Sequence, residues 1–217
     1  MDKDNLIGNT ILFVKEKLKG AEGGHDWFHI ERVYKNALLI ANNESCNQTV
    51  VKLGALLHDI ADSKFNNGDE TVGPAIARAF LEKEQVPANI IDHVVFIIEN
   101  ISYKGGNFTK TFQSIELDIV QDADRLDAIG AIGIARAFNY GGFKNRQMYN
   151  PAIAPVSGMT KEEYKNNNAP TVNHFYEKLL LLKDKMNTNT GKEIANERHK
   201  FMEVFLGQFY SEWEGTR

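Results

Sequence analysis

Disulfides and long apolar runs are both missing from this sequence of 217 residues, whose single cysteine is Cys46. A lone cysteine has no partner within the chain, which excludes a disulfide-stapled scaffold and fits a reducing compartment. No apolar run approaches the roughly 18 residues that a membrane helix needs, and the longest candidate, Leu179–Leu182, lies between lysines. Residues 1–5 lack the charged and then apolar layout of a signal peptide. We therefore expect a cytoplasmic protein with no membrane partner.

A large excess of charge of one sign is also missing. The formal net charge is −4 at pH 7, so the chain has no basic surplus of the kind that binds a nucleic-acid polymer. Hydrophobic residues make up 42% and charged residues 25% of the sequence, which is ordinary for a globular protein. A chain of this length buries a sizeable core without needing disulfide cross-links. We expect a single domain over residues 1–217.

Helical periodicity dominates the apolar pattern, and alternating strand patterns are scarce, so the fold class is predicted to be all-α. The sequence predicts helices around the apolar stripes 6–18, 72–80 and 90–101, and over 26–43, 47–57, 115–138, 171–186 and 191–214, with Asn47 as an N-cap. Gly130 and Gly133, inside the long central helix, would let another backbone or a substrate come close. Residues 139–171 show little periodicity, and a loop of that length is typical of a functional lid.

Histidines and carboxylates cluster at three places along the chain. His29 lies on the apolar stripe of its predicted helix and should point inward. The doublet His58-Asp59 ends an apolar helix. Asp122 and Asp124 lie in a mostly apolar helix, where a buried carboxylate is costly unless it is paired or bound to a metal. Taken singly, each is more often a packed core histidine, a chance doublet or a solvated acid, so the combination carries the prediction.

Two imidazoles and two carboxylates suit a borderline divalent ion such as Mn, Fe, Co, Ni or Zn. Such a set leaves coordination positions for water and for a phosphate oxygen. The ion would lower the pKa of a bound water and neutralise charge on a phosphoryl group. These residue types therefore predict a hydrolytic metal site.

The order of these residues resembles the HD-domain superfamily of metal-dependent phosphohydrolases. His29 followed by Arg32-Val33 matches the first motif of that superfamily, and His58-Asp59 matches its namesake doublet. The closing motif, Ala-Asp-x-Leu, matches residues 123–126. The resemblance covers residues 25–127 and implies an all-α HD-domain helical bundle, here with additional C-terminal helices over 171–214. It also implies the metal ligands His29, His58, Asp59 and Asp124, because the closing motif selects Asp124 rather than Asp122.

The fuller motif strings resemble a narrower group, the small bacterial HD hydrolases of the YpgQ/YedJ type, and that likeness extends through the late helices. It implies a nucleoside triphosphate pyrophosphohydrolase that uses a metal-activated water. Members with two metals carry extra histidines between the doublet and the last aspartate. In this chain His93 alone lies in that interval, so we expect one divalent ion per chain, with Mn favoured, and expect His93 to pack on its helix.

Further roles follow from the resemblance. Asp62 lies three residues after Asp59, where related one-metal enzymes carry an acid that assists the water, although it would serve equally as a helix cap. Lys64 and Arg32 would hold the phosphate groups of the substrate, and Arg32 would equally pair with an acid near the metal. His25 would contact the substrate.

Three other functions remain open, and one of them is the hydrolysis of alarmone nucleotides, which fits the same metal set. A 5′-nucleotidase-type phosphomonoesterase uses the same metal chemistry, and a non-catalytic regulatory module would hold the metal for structure alone. The ligand set together with Asp62 and Lys64 favours an enzyme, since a structural site should be closed by its own ligands. The expected partner is a small phosphorylated molecule, a nucleotide in the leading interpretation. The apolar late helices would pack within the chain or across a homodimer.

Overall fold

The structure is a computed structural model, and it describes residues 3–21, 24, 26–61, 69, 71–101, 112–160, 163 and 167–216. Within these residues the regular elements are helices and no strand occurs, which confirms the all-α prediction. None of their helices is both long and apolar enough to cross a membrane. The chain divides into two compact units, Met1–Asp124 and Arg125–Arg217, and each is described by itself.

The first unit contains helices that the apolar stripes predicted. They are α1 (Lys3–Lys17), α2 (Trp27–Ala41), α3 (Gln48–Leu57), α4 (Val72–Lys83), α5 (Ala88–Asn100) and most of α6 (Ile115–Asp127). The second unit contains α7 (Gly130–Phe143), the short α8 (Asn173–Glu177), a 3-10 helix (Leu179–Lys185) and the long α9 (Asn189–Trp213).

Helix α3 lies in the core of the first unit, against α1, α2 and α5. Its side chains Leu53, Leu56 and Leu57 are fully buried. Asn47 is its N-cap as predicted, because its side-chain oxygen accepts hydrogen bonds from the backbone N–H groups of Thr49 and Val50 at 3.1 and 3.3 Å. An apolar helix fixed in this way places the residues at its C-terminal end in the interior.

The prediction of one central helix over residues 115–138 is wrong in one respect, because the structure has two helices there. Helix α6 ends at Asp127 and α7 begins at Gly130, which has a backbone φ of +75°. Only glycine adopts that conformation readily, and a Cβ at Gly130 would lie 3.0 Å from the Arg198 side chain. A Cβ at Gly133 would lie 2.2 Å from the carbonyl oxygen of Ala128. The two glycines thus permit a close backbone approach at a break between helices.

Gly130→Ala is expected to lower the free energy of unfolding by about 1–2 kcal/mol, because the left-handed conformation strains a residue with a Cβ. Gly142→Ala is the matched control, because Gly142 lies on the same helix and a Cβ there would meet nothing within 4 Å. It should leave the stability unchanged or raise it by about 0.5–1 kcal/mol. Chemical denaturation of both variants tests this, and equal stabilities would contradict the assignment of strain to Gly130.

Two boundaries in the second unit also differ from the prediction. Residues 139–143 belong to α7, so the long segment predicted as a lid begins at Lys144. The predicted helix 171–186 is broken at Lys178, whose φ of −143° and ψ of −56° are not helical. The chain then continues as the 3-10 helix. The periodicity of the leucines in this stretch does not distinguish these two helix types, because both bring every third or fourth residue to one side.

Candidate metal centre

His29 is positioned by the start of α2. The side chain of Asp26 caps this helix and accepts a hydrogen bond from the backbone N–H of His29 at 3.0 Å. This cap fixes the first turn of the helix. The His29 side chain is 3% exposed and lies on the same buried stripe as Val33 and Ile40, so the inward orientation that the sequence predicted is confirmed.

His58 is positioned by the end of α3, where it is the C-cap residue. Its Nδ1 lies 2.9 Å from the carbonyl oxygen of Ala55. A carbonyl oxygen only accepts, so this contact places the proton on Nδ1 and leaves a lone pair on Nε2. That Nε2 is buried, and among the described residues it has no hydrogen-bond partner. A buried imidazole whose other nitrogen is fixed by a carbonyl has the arrangement of a metal-ligating histidine.

The side chains of His29, His58 and Asp59 converge, with one ligand atom of each within 4.8 Å of the others. The two imidazole rings lie edge to face with centroids 5.5 Å apart. Asp124, on α6, places Oδ1 at 3.6 Å from Nε2 of His29 and 4.0 Å from Nε2 of His58. All four residues belong to the first unit.

These distances fit a shared divalent ion better than direct hydrogen bonds. A separation of 3.6 Å or more between nitrogen and oxygen is too long for a hydrogen bond, and the two contacts of Asp124 measure 3.6 and 4.0 Å. Ligand atoms that each lie about 2.0–2.2 Å from one ion stand about 3–4 Å from each other. The side chain of Asp124 is 41% exposed, so solvent and a substrate can reach this side of the cluster.

The structure describes some of the other predicted site residues but not all of them. Arg32 is half-buried on α2. His25, Asp62 and Lys64 lie outside the described residues. His93 packs as expected, with its Nε2 at 2.9 Å from Oγ of Ser114.

The two acids that flank the closing motif are buried, unlike Asp124. Asp122 is fully buried, and Asp127 is 1% exposed. In the structure Arg136 donates to the Asp127 carboxylate, and Arg125 donates to the carbonyl oxygen of Lys185 at 2.6 Å.

Two further histidines lie on the late helices, where His174 is half-buried and His199 is buried. Burial, together with the smaller effects of the positive charges of Lys178 and Arg146, lowers the pKa of His174 to about 4. The ring is therefore neutral at pH 7. His199 is 8% exposed on α9, with Nε2 at 3.3 Å from Glu203.

Comparison with known proteins agrees with this geometry. A sequence-family model for the HD domain matches residues 27–129, which include all four converging side chains. The uncharacterized protein YpgQ of Bacillus subtilis is 38% identical over 206 residues, covering 94% of this chain and 91% of YpgQ. The chain belongs to the HD superfamily. It is a metal-dependent phosphohydrolase of that superfamily, as its motifs implied.

Solved structures extend the likeness of this HD hydrolase to its whole length. An HD-superfamily hydrolase of Bacillus thuringiensis is 45% identical, with a TM-score of 0.79 and 98% of each chain covered. The structure of Bacillus subtilis YpgQ in complex with ADP is 32% identical, with a TM-score of 0.75 and 98% of this HD hydrolase and 97% of YpgQ covered. The fold of both units is therefore shared with known HD hydrolases.

Proposed function

We propose that this HD hydrolase acts on nucleotides as a nucleoside triphosphate pyrophosphohydrolase. The observation that carries the proposal is the buried, unpartnered Nε2 of His58, which faces Oδ1 of Asp124 across 4.0 Å in the described site. The nucleotide class is supported by the ADP bound in the YpgQ structure, since ADP carries the phosphoanhydride bond that such an enzyme would cleave.

His29, His58, Asp59 and Asp124 would hold one divalent ion, with Mn favoured among Mn, Fe, Co, Ni and Zn. When bound, such an ion supplies a Lewis acid that neutralises phosphoryl charge and acidifies a water molecule. The fixed proton on Nδ1 of His58 keeps its Nε2 lone pair directed at this position. The exposure of Asp124 favours an open, catalytic site over a closed, structural one.

The other residues of the proposed site handle protons and phosphate groups. Asp62 would orient the attacking water or move its proton, which is general acid–base assistance. Lys64 and Arg32 would hold the phosphate oxygens through charge-assisted hydrogen bonds. His25 would contact the substrate. In the balanced reaction, water adds to one phosphorus, the bridging oxygen leaves with the second, and the products are a nucleoside monophosphate and pyrophosphate.

A product assay tests the proposal. Mn²⁺-loaded protein is incubated with nucleoside mono-, di- and triphosphates, and phosphate and pyrophosphate are measured separately. Pyrophosphate from triphosphates is the expected result. Phosphate from monophosphates would instead identify a 5′-nucleotidase. No turnover of any nucleotide, in protein shown to bind Mn²⁺, would contradict both and favour a regulatory module.

A further inference from the structure

Asn36 is a polar residue on the buried stripe of α2. It is 9% exposed, whereas its stripe neighbours Val33 and Ile40 are completely buried. It lies seven residues after His29, which is close to two helical turns, so both side chains face the same side of α2, about 10 Å apart along its axis. A buried amide is costly unless it is hydrogen-bonded. The apolar stripe of α2 does not by itself explain why a polar residue occupies this position.

One hydrogen bond of the Asn36 side chain reaches α6. Its Nδ2 donates to the carbonyl oxygen of Ala123 at 3.3 Å. Ala123 is fully buried and immediately precedes Asp124. Since Nε2 of His29 lies 3.6 Å from Oδ1 of Asp124, two polar contacts join α2 to neighbouring residues of α6. One contact is the ligand pair itself, and the other lies two turns further along α2.

We propose that Asn36 is a positioning residue, which fixes α6 against α2 and thereby holds Asp124 at its distance from His29. The apolar side chains around Asn36 attract without direction, so they tolerate a small slide or rotation of one helix on the other. A hydrogen bond to a single carbonyl oxygen removes that freedom. Ligands must be held within about 0.5 Å of their productive positions, so a small slide matters for the ion. This inference rests on the proposed metal site.

The test measures Mn²⁺ affinity by titration calorimetry on metal-free wild type, Asn36→Ala and Gln121→Ala. Gln121 is a matched control, because it is 7% exposed on α6 and its Nε2 donates to the carbonyl oxygen of Asn100 at 2.9 Å. Asn36→Ala should bind Mn²⁺ about tenfold more weakly, the lower end of what residues that orient metal ligands contribute. Gln121→Ala should bind it as the wild type does. The visible absorption spectrum of the Co²⁺-loaded Asn36→Ala protein should also shift, because the ligand geometry changes.

Each contrary outcome of these measurements has a definite interpretation. Wild-type affinity and an unshifted Co²⁺ spectrum in Asn36→Ala would overturn the inference and leave the metal site standing. An equal loss in Gln121→Ala would assign the effect to general loosening of α6 and would also overturn it. Wild-type protein that binds no Mn²⁺ would overturn the proposed metal site and this inference with it. If Asn36→Ala is recovered unfolded, Asn36→Asp keeps the side-chain size, replaces the donor by an oxygen, and should show the same loss.

Discussion

Asp124→Ala should lose the bound metal and lower turnover by at least about 10³-fold. The Asp124 carboxylate lies within 3.6–4.0 Å of Nε2 of both histidines, so in the proposed site its removal would take one of four ligands and one negative charge from the ion. Stabilisation by a metal ion amounts to several kcal/mol of the barrier, and each 1.36 kcal/mol corresponds to about tenfold in rate. Elemental analysis beside steady-state kinetics measures both effects.

Asp92→Ala is the control for this variant. The side chain of Asp92 is 51% exposed and pairs with Arg78 at 2.7 Å, and exposed pairs of this kind contribute about 0–1 kcal/mol to stability. Its removal should change neither metal content nor turnover. Chelator should reproduce the Asp124→Ala phenotype in the wild type, and added Mn²⁺ should reverse it. Full activity in metal-stripped wild-type protein would contradict the mechanism as a whole.

Asp62→Asn is expected to keep the metal while turnover falls by about 10²–10⁴-fold, the usual contribution of general acid–base assistance. The asparagine keeps the size of the side chain but neither accepts nor returns a proton near neutral pH. The limb of the pH–rate profile that reports this carboxyl should disappear as well, which a merely structural role would not cause. Metal content, kcat and the pH profile are the measurements.

Two comparison variants separate the interpretations of Asp62. Asp59→Ala should lower metal content and turnover together, because Asp59 belongs to the converging cluster. Asp69→Asn should leave turnover unchanged, since Asp69 is exposed and its carboxylate accepts hydrogen bonds from Thr71. Those hydrogen bonds also lower the pKa of the Asp69 carboxyl. Near-normal turnover in metal-loaded Asp62→Asn would show that Asp62 is a cap or a packing residue, and the metal site would survive that result.

The motifs predicted the candidate ligands more closely than the periodicity predicted the helix boundaries. A local signal located the cap Asn47, because an N-cap depends on a side chain and the backbone two or three residues away. Through the resemblance to the HD superfamily, the motifs implied His29, His58, Asp59 and Asp124 as one ligand set, and the four side chains converge. The break before Gly130 was missed because the apolar pattern continues across it. The conformation of the glycine, with Arg198 packed against it, belongs to the folded chain.

Helix α9 also shows a difference between what the sequence pattern predicts and what the folded chain buries. Its aromatic residues recur at helical spacing, yet Phe201 is 52% and Trp213 is 47% exposed, whereas Ala195 and Met202 are completely buried. Periodicity establishes that a helix has an apolar stripe, but the neighbouring element decides which part of the stripe is covered. A sequence pattern alone does not contain that neighbour.

By itself the sequence determined the helical class, the HD motifs and the residue types that suit a divalent ion, because these depend on local spacing and on side-chain chemistry. Tertiary structure alone decided that Nε2 of His58 is buried without a hydrogen-bond partner among the described residues. It also decided that Asn36 reaches the carbonyl oxygen of Ala123, 87 residues away in the chain. Both facts arise where helices distant in sequence pack together, and packing sets the distances and the solvent exclusion on which metal chemistry depends.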